Sequence, residues 1–130
     1  MATLLGVGNE MITADSFGPA LAKALAGTGI KALNCSTAPE NFLKHVKEAD
    51  VLLIADSARI PGEEGRVLML ENPSVLAKSG STHTMPLDRL ALFAKGKVYY
   101  IVFSPPDGCT KSDINAAVAK AKAMLQPFFR

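Results

Sequence analysis

Val51-Leu52-Leu53-Ile54-Ala55 is an unbroken apolar run that stops at Asp56. A run this short and apolar at every position has no polar face to offer water, so it reads as a strand covered on both sides. Covering both sides of a strand takes helices, and the flanking sequence supplies them. Thr3 to Gly8 is a second short apolar run, closed by glycine. After it, Asp15 or Ser16 offers a helix N-cap, Pro19 suits a first turn, and Leu21, Ala24 and Leu25 share one helical face. Gly27 and Gly29 then punctuate the chain, and Ile30 to Asn34 is a further strand candidate. Thr37 and Glu40 have capping-box spacing with Pro39 between them, ahead of the stripe Phe42, Leu43, Val46. The first half therefore spells β-α-β-α-β, the pattern of a largely parallel sheet with right-handed crossovers.

The second half is less regular. Residues 61–65, Pro-Gly-Glu-Glu-Gly, make a turn-rich loop, and Val67 to Leu70 is a strand of open direction, with antiparallel a possibility. Thr84 can cap a helix that carries Leu87, Leu90, Ala91 and Ala94 at i, i+3, i+4, i+7. Val98 to Phe103 is the last strand, stopped by Pro105 and Pro106. Thr110 or Ser112 opens a final helix with Ile114, Ala117, Val118, Ala121 and Leu125 inward. The expected architecture is one α/β domain over residues 1–130. It is a three-layer sandwich with a mostly parallel twisted sheet of about five strands and helices on both faces.

Composition narrows the function classes. The 130 residues are 48% hydrophobic and 20% charged, enough apolar material for a core. Fourteen Lys and Arg against twelve Asp and Glu give a net charge of only +2, with no basic run of the kind nucleic acid attracts. No apolar stretch approaches the roughly 18 residues of a membrane span. Met1 to Gly6 lacks the charged n-region of a signal peptide. Two cysteines, Cys35 and Cys109, make neither a disulfide framework nor a structural zinc site, so the expected setting is a reducing cytoplasm.

Ligands of open α/β sheets bind at the carboxyl ends of strands, near a topological switch point. Three chemically useful residues fall there: Asp15 after the first strand, Asp56 at the end of the third, and His83 before a helix. Two carboxylates and an imidazole suit a borderline divalent ion such as nickel or zinc. Each residue also has a plain structural reading. Asp15 can be a helix cap, Asp56 the start of a turn, and His83 a partner for loop backbone. His45, between Lys44 and Lys47, reads as a solvated surface residue, and Cys35 as a small buried thiol at the end of the second strand. Gly6-Val7-Gly8 is a weak dinucleotide signal, because Met11 takes the third glycine's place and Asn34 ends the second strand. Tight-turn glycines explain it better. A phospho-acceptor receiver domain would need an acidic pair after the first strand and a lysine after the last, where this chain has Asn9-Glu10 and Ser104-Pro105.

Together these residues carry a resemblance. Gly6-Val7-Gly8-Asn9 with Asp15, Gly18 and Pro19 resembles the G-x-G-N…D-D-G-x-G-P opening of the [NiFe]-hydrogenase maturation endopeptidases. Thr37-Ala38-Pro39-Glu40-Asn41 is similar to that family's S-A-P-E-N segment, and Leu53-Ile54-Ala55-Asp56-Ser57-Ala58 to its L-I-V-D-A strand end. Ser81-Thr82-His83-Thr84-Met85-Pro86-Leu87 is similar to T-T-H-N-M-P-L, and Ser104-Pro105-Pro106-Asp107 weakly to I-Q-P-D. The resemblance implies an endopeptidase that removes the C-terminal extension of a nickel-loaded [NiFe]-hydrogenase large-subunit precursor, with the nickel arriving on the substrate. It implies that the metal-contacting residues are Asp15, Asp56 and His83, and that Asn34, Cys35 and Glu40 shape the tail-binding cleft. Ala14-Asp15-Ser16 stands where the family has Asp-Asp-Gly, and Asn34-Cys35-Ser36 where it often has Asp-Gly-Gly. Those departures keep open a non-catalytic, metal-sensing or chaperone-like module on the same fold.

Overall fold

The computed structural model describes residues 1–71 and 84–130. In chain order the elements are β1 (Ala2–Val7), α1 (Phe17–Ala24), β2 (Lys31–Ser36), α2 (Leu43–Glu48), β3 (Val51–Ser57), β4 (Val67–Leu70), α3 (Thr84–Ala91), β5 (Lys97–Phe103) and α4 (Lys111–Met124). Short 3-10 turns at Thr13–Asp15 and Pro39–Phe42 precede α1 and α2. The strands form one sheet in the order β2-β1-β3-β5-β4. β2, β1, β3 and β5 run parallel, and β4 pairs antiparallel with β5, which fixes the direction its sequence left open.

The period of two along the strands divides the core into two layers. Leu4, Leu53, Ile101 and Phe103 face Phe17 and Leu21 of α1 and Ile114, Ala117 and Ala121 of α4. The Phe17 and Phe103 rings meet there at 5.5 Å. Leu5, Val7, Leu52, Ile54, Tyr100 and Val102 face the other way, toward Val46 of α2 and Leu87 and Leu90 of α3. Each fully buried leucine contributes roughly 2 kcal/mol relative to leaving it in water. The two-sided apolar run of β3 is thus the seam between both cores.

One helix-start signal resolves as its sequence pattern allowed and another does not. Of Thr110 and Ser112, Thr110 caps α4: its hydroxyl accepts from the Asp113 amide at 3.2 Å, and the Asp113 carboxylate accepts from the Thr110 amide at 2.8 Å. The Thr37/Glu40 capping box does not form. The chain leaves β2 through a tight turn, with Ser36 at φ 51 and the Ala38 amide donating to the Cys35 carbonyl at 3.0 Å. That turn puts Ala38 in the cap position of a 3-10 turn, beyond the reach of Thr37.

Glycine governs the seating of α1. A Cβ on Gly18 would lie 2.3 Å from the Val7 carbonyl oxygen and 2.6 Å from that of Ala55. One on Gly6 would lie 2.3 Å from the Gly18 carbonyl oxygen. The first turn of α1 therefore rests backbone to backbone on the ends of β1 and β3, a distance no side chain permits. Gly6 is not the tight-turn residue its motif suggested: it sits inside β1 and serves this contact.

Candidate functional site

β1 leads outward to β2, while the chain returns across β1 to reach β3. The loops after β1 and β3 therefore part in opposite directions, and the crevice between them is the switch point of the sheet. Asp15 and Asp56 both lie at it.

Asp56 is the penultimate residue of β3 and only 2% exposed. It shares the strand face of Leu52 and Ile54, so a carboxylate takes the place of a third core side chain. Its Oδ1 accepts the Ser57 amide at 2.8 Å. Burial pushes the Asp56 carboxyl well above the usual carboxylate range, the Ser57 amide pulls it back in part, and the charge of Asp15 adds to the rise. A buried acid beside a second carboxylate is an arrangement found at sites of function, since a plain core position would carry an apolar residue.

Asp15 ends the 3-10 turn rather than capping α1. Ser16 holds the cap position, has φ −94 and ψ 0, and makes no side-chain cap bond. The Asp15 carboxylate instead accepts the Asn9 amide at 2.9 Å, closing the loop upon itself. Gly8, at φ 145, belongs to the same closure, because a Cβ there would lie 2.1 Å from the Asp15 carbonyl oxygen. Asp15 is half-buried, and its charge is felt at Asp56.

His83 lies outside the described residues. Among the described residues no group of three or more His, Cys, Asp and Glu side chains converges. The structure thus brings together two of the three residues expected at the site.

The three cleft residues separate. Asn34 is exposed at the end of β2 and donates to the Glu10 carboxylate. It helps line a groove of about 420 Å³ between α1 and β2, together with Glu10, Ser16, Pro19, Ala20 and Lys23. Glu40 is exposed on the turn before α2. Cys35 is 2% exposed and packs with Leu5, Val7 and Val46. Burial pushes its thiol up to about 12, so it fills core space and presents no nucleophile. His45 is half-buried rather than solvated: its ring lies 6.1 Å from Phe42, and its Nδ1 is buried with no hydrogen-bond partner among the described residues. Lys44 is exposed and the Lys47 ammonium lies 5.6 Å from the centre of the Phe93 ring, while the ring of His45 between them turns toward Phe42.

One residue near the site carried only the weak signal of the segment after the last strand. Ser104 is 0% exposed. Its hydroxyl accepts the Ile60 amide at 3.0 Å, its carbonyl accepts the Gly65 amide at 2.6 Å, and its amide donates to the Arg66 carbonyl at 3.0 Å. The Ala58 amide also donates to the Phe103 carbonyl at 3.0 Å. The loop that follows Asp56 is thereby fastened to the end of β5.

The HycI family model, hydrogenase maturation protease, matches residues 19–121. The chain belongs to the hydrogenase maturation protease family. The matched span includes Asp56 and His83 and begins just after Asp15. A Methanocaldococcus jannaschii protein assigned to hydrogenase maturation proteases is 27% identical over 106 residues, 71% of this chain. The match spans 62% of that relative's length. The solution structure of the endopeptidase HycI from Escherichia coli is 25% identical, with a TM-score of 0.74 over 98% of this chain and 90% of that one. The crystal structure of the [NiFe] hydrogenase maturation protease HycI from Thermococcus kodakarensis has a TM-score of 0.77 over 97% and 90% of the two chains, at 18% identity. The hydrogenase maturation protease fold is therefore the fold of this chain.

Proposed function

We propose that this chain is an endopeptidase that removes the C-terminal extension of a nickel-loaded [NiFe]-hydrogenase large-subunit precursor. The nickel belongs to the substrate. Asp15, Asp56 and His83 contact it and thereby test whether loading has occurred. The reading takes residues 1–130 as one domain that works in the cytoplasm, without nucleic acid and without membrane insertion. No helix of the described residues is long and apolar enough to cross a membrane.

The observation that carries the proposal is the pair Asp15 and Asp56 at the switch point, in a chain of this family. Burial disfavours the ionised form of the Asp56 carboxyl and contact with a cation favours it, so contact with nickel promotes loss of its proton. Two roles are open to the metal once it is held: polarising the scissile carbonyl, or lowering the pKa of an attacking water. In the second, a carboxylate of the triad serves as the proton acceptor, an aspartyl-type contribution. Asn34 and the groove beside it suit an extended tail. Glu40 lies on the adjoining turn, and Cys35 supports β2 from within.

Incubating the chain with nickel-loaded and nickel-free precursor and weighing the products tests the proposal. Loss of a C-terminal peptide from the loaded form alone is expected. Tight binding with no mass change overturns the protease reading in favour of a non-catalytic binding module. Asp56→Asn and His83→Ala are each expected to abolish processing, and normal cleavage by both removes those residues from the site.

A further inference from the structure

The loop that carries Asp15 also carries two large apolar residues in water. Met11 is 90% exposed and Ile12 53%. Exposure of this kind usually accompanies a flexible tip, but this tip is tightly fastened. The Asn9 side-chain oxygen accepts the Met11 amide at 2.9 Å, and the Asn9 carbonyl accepts the Ile12 amide at 3.1 Å. The Ile12 carbonyl accepts the Asp15 amide at 2.9 Å, and the Asp15 carboxylate accepts the Asn9 amide. Ser16 adds a bond from its hydroxyl to the Thr13 carbonyl at 2.8 Å. Asn9 and Asp15 thus clamp both ends of a short arch with Met11 and Ile12 on its crown. Glu10, hydrogen-bonded to Asn34, and exposed Thr13 give the crown a polar border. An apolar centre within a polar rim is the anatomy of a protein interface, and a pre-ordered loop loses little entropy on docking.

We propose that Met11 and Ile12 form a rigid apolar knob that seats in a concave apolar pocket on the folded body of the precursor. This inference rests on the protease reading of the adjacent site. Shape selects the occupant. A side chain nine-tenths in solvent is convex, and only a concave surface covers it. An extended tail offers no such concavity, whereas it fits the groove between α1 and β2. Continuity selects it too, because Asn9 bonds both Met11 and Asp15, so a body seated on the crown adjoins the candidate site.

The test measures affinity for the nickel-loaded large-subunit precursor encoded in the same genome, in an Asp56→Asn background that blocks turnover. Met11→Ser is expected to weaken binding roughly tenfold, and Met11→Ser with Ile12→Ser further, with unchanged thermal melting. Affinity for a synthetic peptide of the tail alone is expected to stay the same. Equal affinity of M11S and its parent for the precursor overturns the knob. An unsubstituted chain that sediments as a dimer and dissociates on Met11→Ser assigns the crown to a second copy and also overturns the proposal. Cleavage is read separately by mass. A precursor that is bound, sensitive to M11S and left uncut overturns the protease reading and not the knob.

Discussion

The proposed role of Asp56 sets stability against function at a single carboxyl. Its folded-state pKa is raised, so its contribution to stability is fully present below the unfolded-state value of about 4 and is lost as pH rises toward the folded value. In that window the unfolded chain ionises Asp56 and the folded chain does not. Asn at this position keeps the acceptor for the Ser57 amide and removes the titration. Asp56→Asn is therefore expected to be more stable than the parent at neutral pH. The advantage grows by about 1.4 kcal/mol per pH unit inside the window and vanishes near pH 4. Urea unfolding at a series of pH values checks it, and parallel pH dependence of the two proteins counts against it. Ser36 carries strain of another kind. It sits at φ 51, in the left-handed region that favours glycine, at the place where the resembling proteins often have glycine.

Between elements, α1 meets β1 and β3 backbone on backbone. Gly18→Ala puts a methyl group into the carbonyls of both Val7 and Ala55, which α1 can relieve only by lifting off β1 and β3. A loss of roughly 3 kcal/mol is expected from urea denaturation, at the upper end for overpacking because the obstacle is main chain. Since α1 follows directly on Asp15, the lift also disturbs the carboxylate pair. Ser104→Ala acts at the other wall of the crevice. It leaves the partly buried Ile60 amide without its acceptor, and a loss of about 1–2 kcal/mol is expected in the same assay. Ser104→Thr, which keeps the hydroxyl, is the matching control for the bond against the bulk of the side chain.

For the molecule as a whole, the proposed chemistry predicts an acid limb in processing. Asp56 must ionise to meet the metal, so the cleavage rate on loaded precursor is expected to rise with pH through a value above the usual carboxylate range. An acid limb near pH 4 in initial-rate measurements would separate Asp56 from the metal. The strands and helices were legible in the sequence because each rests on local periodicity; Asp56 was placed by the apolar run it closes, and Asp15 by the loop that follows the run ending at Gly8. The direction of β4 was not legible, since four residues paired across more than thirty carry no local record of register. Nor was Ser104, whose meaning lies in a bond to a residue 44 positions away, nor the inward turn of His45 between two lysines. That same fastening by Ser104 has a consequence at the bench. Residues 58–66 hold two arginines in a turn-rich surface loop, the usual place for a stray protease to nick a domain. A protease needs its target extended, yet the backbone at Ala58, Ile60, Gly65 and Arg66 is already committed to the end of β5. Trypsin digestion of the native protein should leave that loop whole, because two arginines on its surface sit in backbone that cannot extend into a protease.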